Sequence, residues 1–129
     1  MKPEEFCSYE LGMRLKERGF NEECDYYYTD TKLLNRATNR NDILSGKLCS
    51  APIRQKARRW IRSEFGININ VVMRILDFNE SLDKMPVYRV YYILPTVDWK
   101  NCEVYDDRDF ETYEVAEYKA MMFCLDNLI

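Results

Sequence analysis

The constellation best suited to recognition chemistry is a row of arginines, Arg54, Arg58 and Arg62, with Arg59 beside it. A spacing of four residues stacks side chains on one flank of a helix. A guanidinium donates two parallel hydrogen bonds to a phosphate or a carboxylate. Such a row binds anions; it does not make or break bonds. The residue types that catalysis draws on most are absent or scattered. The sequence has no histidine, which removes the commonest general base, the usual metal ligand and the standard activator of a Ser or Cys nucleophile. Its five cysteines, Cys7, Cys24, Cys49, Cys102 and Cys124, show no CxxC spacing. Zinc sites of the usual kinds are therefore not expected, and the thiols read as reduced and buried, not as a disulfide framework.

Carboxylates are the remaining chemical resource. Asp106-Asp107-Arg108-Asp109 gathers three of them, but without the spacing and glycine of a calcium loop, so a solvated turn is the plainer reading. An enzyme built on Asp106, Asp107 and Asp109 is the competing class to a non-catalytic protein, and no metal or cofactor is expected. Tyrosines beside basic residues can stack on bases. Tyr26, Tyr27, Tyr28, Tyr88, Tyr91 and Tyr92 fall in strand-like runs, however, where tyrosine is favoured for packing.

Charge is unevenly placed. From Lys32 to Arg74 ten basic residues face only Asp42 and Glu64, a net of +8, while the rest of the 129-residue chain has nine basic and twenty acidic residues, a net of −11. The acid is densest from Asp98 to Glu117. Two such regions either neutralise each other, within the protein or between protomers, or leave a surface for a charged partner.

These residues must be positioned by a modest set of elements. A length of 129 residues and 47% hydrophobic content suit one domain over 1–129. Ser8 caps a first helix through Arg18 that ends at Gly19 and Phe20 in a Schellman-type stop, and Gly12 either weakens this helix or permits close packing. Cys24 to Thr29 reads as a strand. Asp30 to Lys47 is polar and without clean periodicity, which predicts a long mobile loop. Ala51-Pro52 opens the second helix, which buries Ile53, Ala57, Trp60 and Ile61, presents the arginines on its other side and stops at Gly66. Ile67 to Phe78 alternates, with Ile67, Ile69, Val71, Met73 and Ile75 on one side. A turn over Asn79 to Pro86 joins it to a second strand, Val87 to Leu94, in an antiparallel hairpin against which Trp60 is expected to be buried. Glu103 to Tyr105 is a further short strand. Thr112 caps a last helix whose apolar stripe is Val115, Tyr118, Met122, Leu125 and Ile129. The expected fold is α+β, about three helices packed on a small antiparallel sheet, in the order α-β-loop-α-β-β-(β)-α.

Three segments together carry a resemblance: Ser8-Tyr9-Glu10-Leu11 running into Leu15-Lys16-Glu17-Arg18-Gly19-Phe20, Ala51-Pro52 into Trp60-Ile61-Arg62, and Phe110-Glu111-Thr112-Tyr113-Glu114. They resemble a family of small proteins from gut anaerobic bacteria and their temperate phages with no established activity. The chain departs from that pattern at Val115, where the family has Glu, and in its more basic second helix. The resemblance implies a phage or mobile-element setting, hence the cytosol, and transfers no functional residue.

With no charge-free apolar run long enough to span a bilayer and no apolar stretch after the charged start, the chain reads as soluble and cytoplasmic. The reading that follows is a non-catalytic accessory protein. It binds an acidic protein surface or a second protomer through Arg54, Arg58, Arg59 and Arg62. A nucleic-acid backbone is the alternative partner for the same face, although a pI near 5.1 is unlike that of nucleic-acid domains.

Overall fold

The computed structural model describes residues 5–77, 84–96 and 102–129. The fold is α+β, with the order α1 (Tyr9–Glu17), β1 (Cys24–Tyr28), β2 (Leu34–Asn39), β3 (Cys49–Ser50), α2 (Arg54–Phe65), β4 (Asn68–Asp77), β5 (Lys84–Ile93), β6 (Glu103–Phe110) and α3 (Tyr113–Phe123). A five-residue π-helix, Cys124–Leu128, follows α3. Where one small sheet is expected, there are two antiparallel three-stranded sheets, β2-β1-β3 and β4-β5-β6. The chain divides into two compact units, Met1–Trp60 with Cys124–Ile129, and Ile61–Phe123.

Helix α1 is set by local chemistry. Ser8 Oγ accepts the Leu11 N–H at 3.2 Å, satisfying one of the donors that a helix start leaves open. At the other end Phe20 N–H reaches Leu15 C=O at 2.9 Å and Gly19 N–H reaches Lys16 C=O at 3.1 Å. Gly19 sits at φ 97°; this is the full Schellman pair, which needs a left-handed residue there. Gly12 resolves in favour of close packing. A Cβ at that position would lie 3.0 Å from both Cys49 Sγ and the Ser50 carbonyl, so α1 lies on β3 with no room for a side chain.

The segment expected to be a loop from Asp30 to Lys47 contains a strand. β2 pairs with β1 through Tyr26↔Arg36, Tyr27↔Asn35 and Tyr28↔Leu34. The strand was hidden because Leu34-Asn35-Arg36-Ala37-Thr38-Asn39 lacks alternation and has one β-favouring residue, Thr38, and its pairing is supplied by β1. The buried Asn39 completes it. Its two Nδ2 hydrogens are shared among the Cys24, Tyr26 and Ala37 carbonyls, and its Oδ1 accepts from Ser50 Oγ at 2.6 Å. Beyond β2 the chain is tied to α1 and its C-terminal turn. Asn41 Nδ2 donates to Phe20 C=O at 2.7 Å, Lys16 Nζ to the Leu44 and Leu48 carbonyls at 2.9 and 2.6 Å, and Tyr9 OH to Lys47 C=O at 3.0 Å.

Helix α2 begins at Arg54, later than the expected start at Pro52. Ile53 still bridges to Phe6, and its carbonyl takes the Ala57 N–H at 3.1 Å. Trp60 is buried, and the ring that meets it, edge-on at 5.3 Å, is Phe20, where the expectation named the hairpin. Gly66 ends the helix at φ 71°, where a Cβ would meet Pro95 at 2.9 Å.

In the second sheet β4 and β5 form the expected antiparallel hairpin, from Asn68↔Ile93 through Ile75↔Pro86. Most of the turn expected at Asn79 to Pro86, and Phe78 before it, lie outside the described residues. β6 is longer than expected and pairs with β5. Helix α3 covers one face: Tyr92 OH donates to Ala120 C=O at 3.3 Å and its ring stacks on Phe123 at 5.4 Å. The expected alternation of β4 holds, but its core does not run the full length. Ile67 and Ile69 are buried, whereas Met73 and Ile75 are more than half exposed. The expected stripe of the last helix holds at Leu125, which is buried, and in part at Tyr118 and Met122, which are half-buried, but not at its two ends. Val115 and Ile129 are exposed, and the residues buried are Ala116, Glu117, Ala120 and Met121, then Cys124 and Leu125. Small alanines let the helix approach the sheet closely, and a reading weighted toward bulk passes over them.

Candidate functional site

Within α2 the burial follows the 100° step of a helix. Ala57, Trp60 and Ile61 form the buried side, and Arg54, Arg58 and Arg62 climb away from it by 40° per position. The sequence-predicted row is thus on one helix, but its members differ in environment. Arg54 and Arg58 are half-buried, while Arg59 and Arg62 are exposed. Arg54 and Arg58 each take part in an interaction. Among the described residues, Arg59 and Arg62 make no side-chain hydrogen bond or ion pair. A fifth cation on the helix, Lys56, donates to the Glu23 carbonyl.

The acidic counterpart is built differently. On β6 and its neighbour, Arg89 Nε meets Asp109 at 2.5 Å, and Arg108 holds Asp106 with Nη2 at 2.7 Å and Nε at 3.0 Å. The Arg108 backbone N–H adds a third bond to Asp106 at 3.0 Å. Tyr105 OH donates to the Glu103 carboxylate. Burial pushes the Asp106 carboxyl up, but the Arg108 hydrogen bonds and charge outweigh it, so Asp106 titrates below the ordinary value. Asp109 is likewise lowered, chiefly by its hydrogen bond from Arg89. A catalytic acid needs the opposite shift. Asp107, the third member of the cluster, is exposed.

A pocket and the thiols offer less. A pocket of about 200 Å³ lies between Phe6, Cys24, Tyr26, Pro52, Ile53 and Lys56. That is below the ~300 Å³ at which small-molecule sites begin. Its one thiol, Cys24, has its pKa raised mainly by burial, with Lys56 pulling the other way, so it is a protonated and poor nucleophile at neutral pH. Burial likewise pushes Cys49 up to about 11 and Cys124 up to about 12. Cys7, Cys24, Cys49 and Cys124 are buried, as the sequence suggested, and Cys102 is half-exposed. Among the described residues no group of three or more His, Cys, Asp or Glu side chains could hold a metal ion.

The tyrosines of the strands pack as expected in most cases. Tyr26 meets Phe6 edge-on, Tyr28 OH donates to Cys7 C=O, Tyr88 meets Tyr113 edge-on, and Tyr92 is buried. Sequence reasoning missed one pair. Tyr91 lies beside Tyr105, ring centroids 6.0 Å apart, and Tyr105 is 70% exposed. The pairing of β6 with β5 was the missing signal: Tyr105 falls within the expected short strand, and the register sets it opposite Tyr91. No helix of the described residues is long and apolar enough to cross a membrane. Comparison of the chain with protein-family models, with curated proteins and with solved structures finds no match.

Proposed function

We propose that the protein is a non-catalytic accessory protein whose helix α2 presents a basic face to an acidic protein surface. One observation supports this above others: Arg59 and Arg62 stand exposed without a carboxylate partner among the described residues, while Asp106 and Asp109 of the acidic stretch each have an arginine at hand. Like charges three and four residues apart on a helix repel, and a glutamine would serve the fold as well. An anionic partner relieves that repulsion. Arg54 and Arg58 flank the pair and extend the face toward the buried side of the helix. The setting is the cytosol, in a phage or mobile element, as the family resemblance implies.

A nucleic-acid backbone is the second reading, favoured only by the four-residue spacing of the guanidinium groups. It is weaker because the chain as a whole carries −3, and a phosphate backbone is attracted by net positive charge. Titration against poly-L-glutamate and against mixed-sequence single- and double-stranded DNA, at several salt concentrations, separates the two. Binding to poly-L-glutamate with little or no binding to DNA is the expected result. A steep linear fall of log K with log salt on DNA, stronger than on poly-L-glutamate, would replace the first reading with the second.

A further inference from the structure

In the β2-β1-β3 sheet β2 is an outer strand, and two backbone bonds fix which of its groups point outward. Thr29 N–H, just past β1, reaches Leu33 C=O at 3.0 Å, so the backbone of Thr29 turns toward β2. Ala51 N–H reaches Tyr26 C=O at 2.9 Å, so the backbone of Tyr26 turns toward β3. By antiparallel alternation Tyr28 follows Tyr26. The residues opposite Tyr28 and Tyr26 on β2 are Leu34 and Arg36. Their N–H and C=O groups therefore make no rung with β1 and point out of the sheet. Nothing among the described residues covers this edge: Leu34, Arg36, Ala37 and Thr38 are exposed. Leu33, just before the strand, is 64% exposed.

Open edges are commonly blunted by a proline or a bulge. β2 has no proline, and its register breaks only at the far end, between Cys24 and Tyr26, so Leu34 to Arg36 stays regular. Side chains on this stretch say what kind of strand fits. Leu34 and Arg36, two residues apart, share a face. Arg36 makes no ion pair or side-chain hydrogen bond among the described residues. Of the charges around it, Lys32 is met by Glu10 at 3.5 Å, and Asp25 lines the pocket that holds Lys56. Asp30 lies before the strand, and Arg40 and Asp42 lie after it. The middle of the edge thus carries one uncompensated cation beside an open leucine. Two copies of β2 paired with each other would set Arg36 opposite or diagonal to Arg36, a like-charge contact. A strand with a carboxylate opposite Arg36 and an apolar side chain opposite Leu34 satisfies both positions.

We propose that the outer edge of β2 takes up an extended segment of a partner protein as a fourth strand, one that carries an acidic and an apolar residue two positions apart. Main-chain bonds at Leu34 and Arg36 supply affinity, and the pair between Arg36 and the carboxylate supplies selectivity. The site uses none of the arginines of α2 and goes beyond the reading of that helix.

NMR titration of the full chain with the capped peptide Thr-Val-Thr-Glu-Thr-Val-Thr, to about 1 mM, tests it. The largest amide shifts, and slowed amide hydrogen exchange, are expected at Leu34 and Arg36. A peptide with lysine in place of the glutamate is expected to bind about fivefold more weakly, and Arg36→Gln to weaken the glutamate peptide about threefold. Leu34→Pro removes an N–H that the sheet itself does not use, a place where an edge strand tolerates proline, and is expected to weaken binding about tenfold or more. Circular dichroism verifies folding. If Leu34→Pro is poorly folded, Arg36→Gln and the lysine peptide carry the test. Arg59→Ala is expected to leave the affinity within about twofold. Absence of binding at the highest peptide concentration overturns the proposal. So does binding that leaves the Leu34 and Arg36 amides unmoved, or that is indifferent to Arg36→Gln and to the lysine exchange. Shifts confined to α2 and abolished by Arg59→Ala would overturn it while leaving the reading of that helix standing.

Discussion

The basic stretch from Lys32 to Arg74 and the acidic stretch from Asp98 to Glu117 look like mirror images in composition, yet the fold uses them in opposite ways. Where the acidic stretch is described, Asp106 and Asp109 find arginines close by, Arg108 two residues along the same strand and Arg89 on the next one. The basic stretch divides in two. Its first half is held by uncharged groups, with Asn39, Asn41 and Ser50 buried and hydrogen-bonded. Its second half is α2, where Arg59 and Arg62 reach solvent. Density of charge in a sequence is therefore a poor guide to function. What separates a settled charge from an available one is the partner that the strand or helix places within reach.

The largest expected effect comes from the held half of the basic stretch. Asn39→Ala removes two amide hydrogens shared among three carbonyls and the acceptor of the Ser50 hydroxyl in a buried place, although the Tyr26 carbonyl keeps the Ala51 N–H. A loss of about 2–4 kcal/mol of stability is expected, from the cost of unsatisfied buried polar groups. Denaturant unfolding measures it; a loss under about 0.5 kcal/mol would mean that the network does not hold β2 and that the segment is as loose as its composition suggests.

Capping was legible in the sequence because it is local. Ser8, Gly19 and Gly66 each act on groups within five residues along the chain, so their types alone mark where α1 and α2 stop. β2 was not legible, since nothing in Leu34 to Asn39 announces a strand and its order is imposed by β1 and by one asparagine amide. The stripe of the last helix was read in part, at Leu125 but not at Val115 or Ile129, for a related reason. Ala116 and Ala120 are buried because they are small, and hydrophobic bulk is the wrong measure where a helix lies close on a sheet. The arginine row of α2 was legible as one side of a helix. Which of its members meet water depends on what flanks Arg54 and Arg58 in three dimensions.

A smaller effect sharpens the acidic side of the comparison. Asp106 titrates below the 3.8 of an unstructured aspartate. Between those two values the unfolded chain binds more protons than the folded one, so stability rises with pH there. The contribution is complete above about pH 5 and is lost as the pH falls through the folded value. Asp106→Asn is expected to remove on the order of 0.5–1 kcal/mol at neutral pH and to flatten the acid limb below about pH 4. An unchanged acid limb would show that Arg108 does not settle this carboxylate.

The smallest effect belongs to the exposed half of α2. Arg62→Gln is expected to leave stability unchanged or to raise it by at most about 0.5 kcal/mol, because relief of like-charge repulsion is all that it changes. A loss above about 1 kcal/mol would place Arg62 in a structural contact and remove it from the candidate face.

The central claim is that the exposed arginines of α2 are held for an anionic protein partner. Titration of poly-L-glutamate into the wild-type chain and into the Arg59→Ala, Arg62→Ala double variant, at matched salt and with both proteins shown to be folded, tests it most directly. The expected result is a loss of affinity of about tenfold or more in the double variant, with unfolding midpoints that agree closely. Equal affinity in the two proteins would contradict the claim and return the arginine row to an ordinary solvated surface.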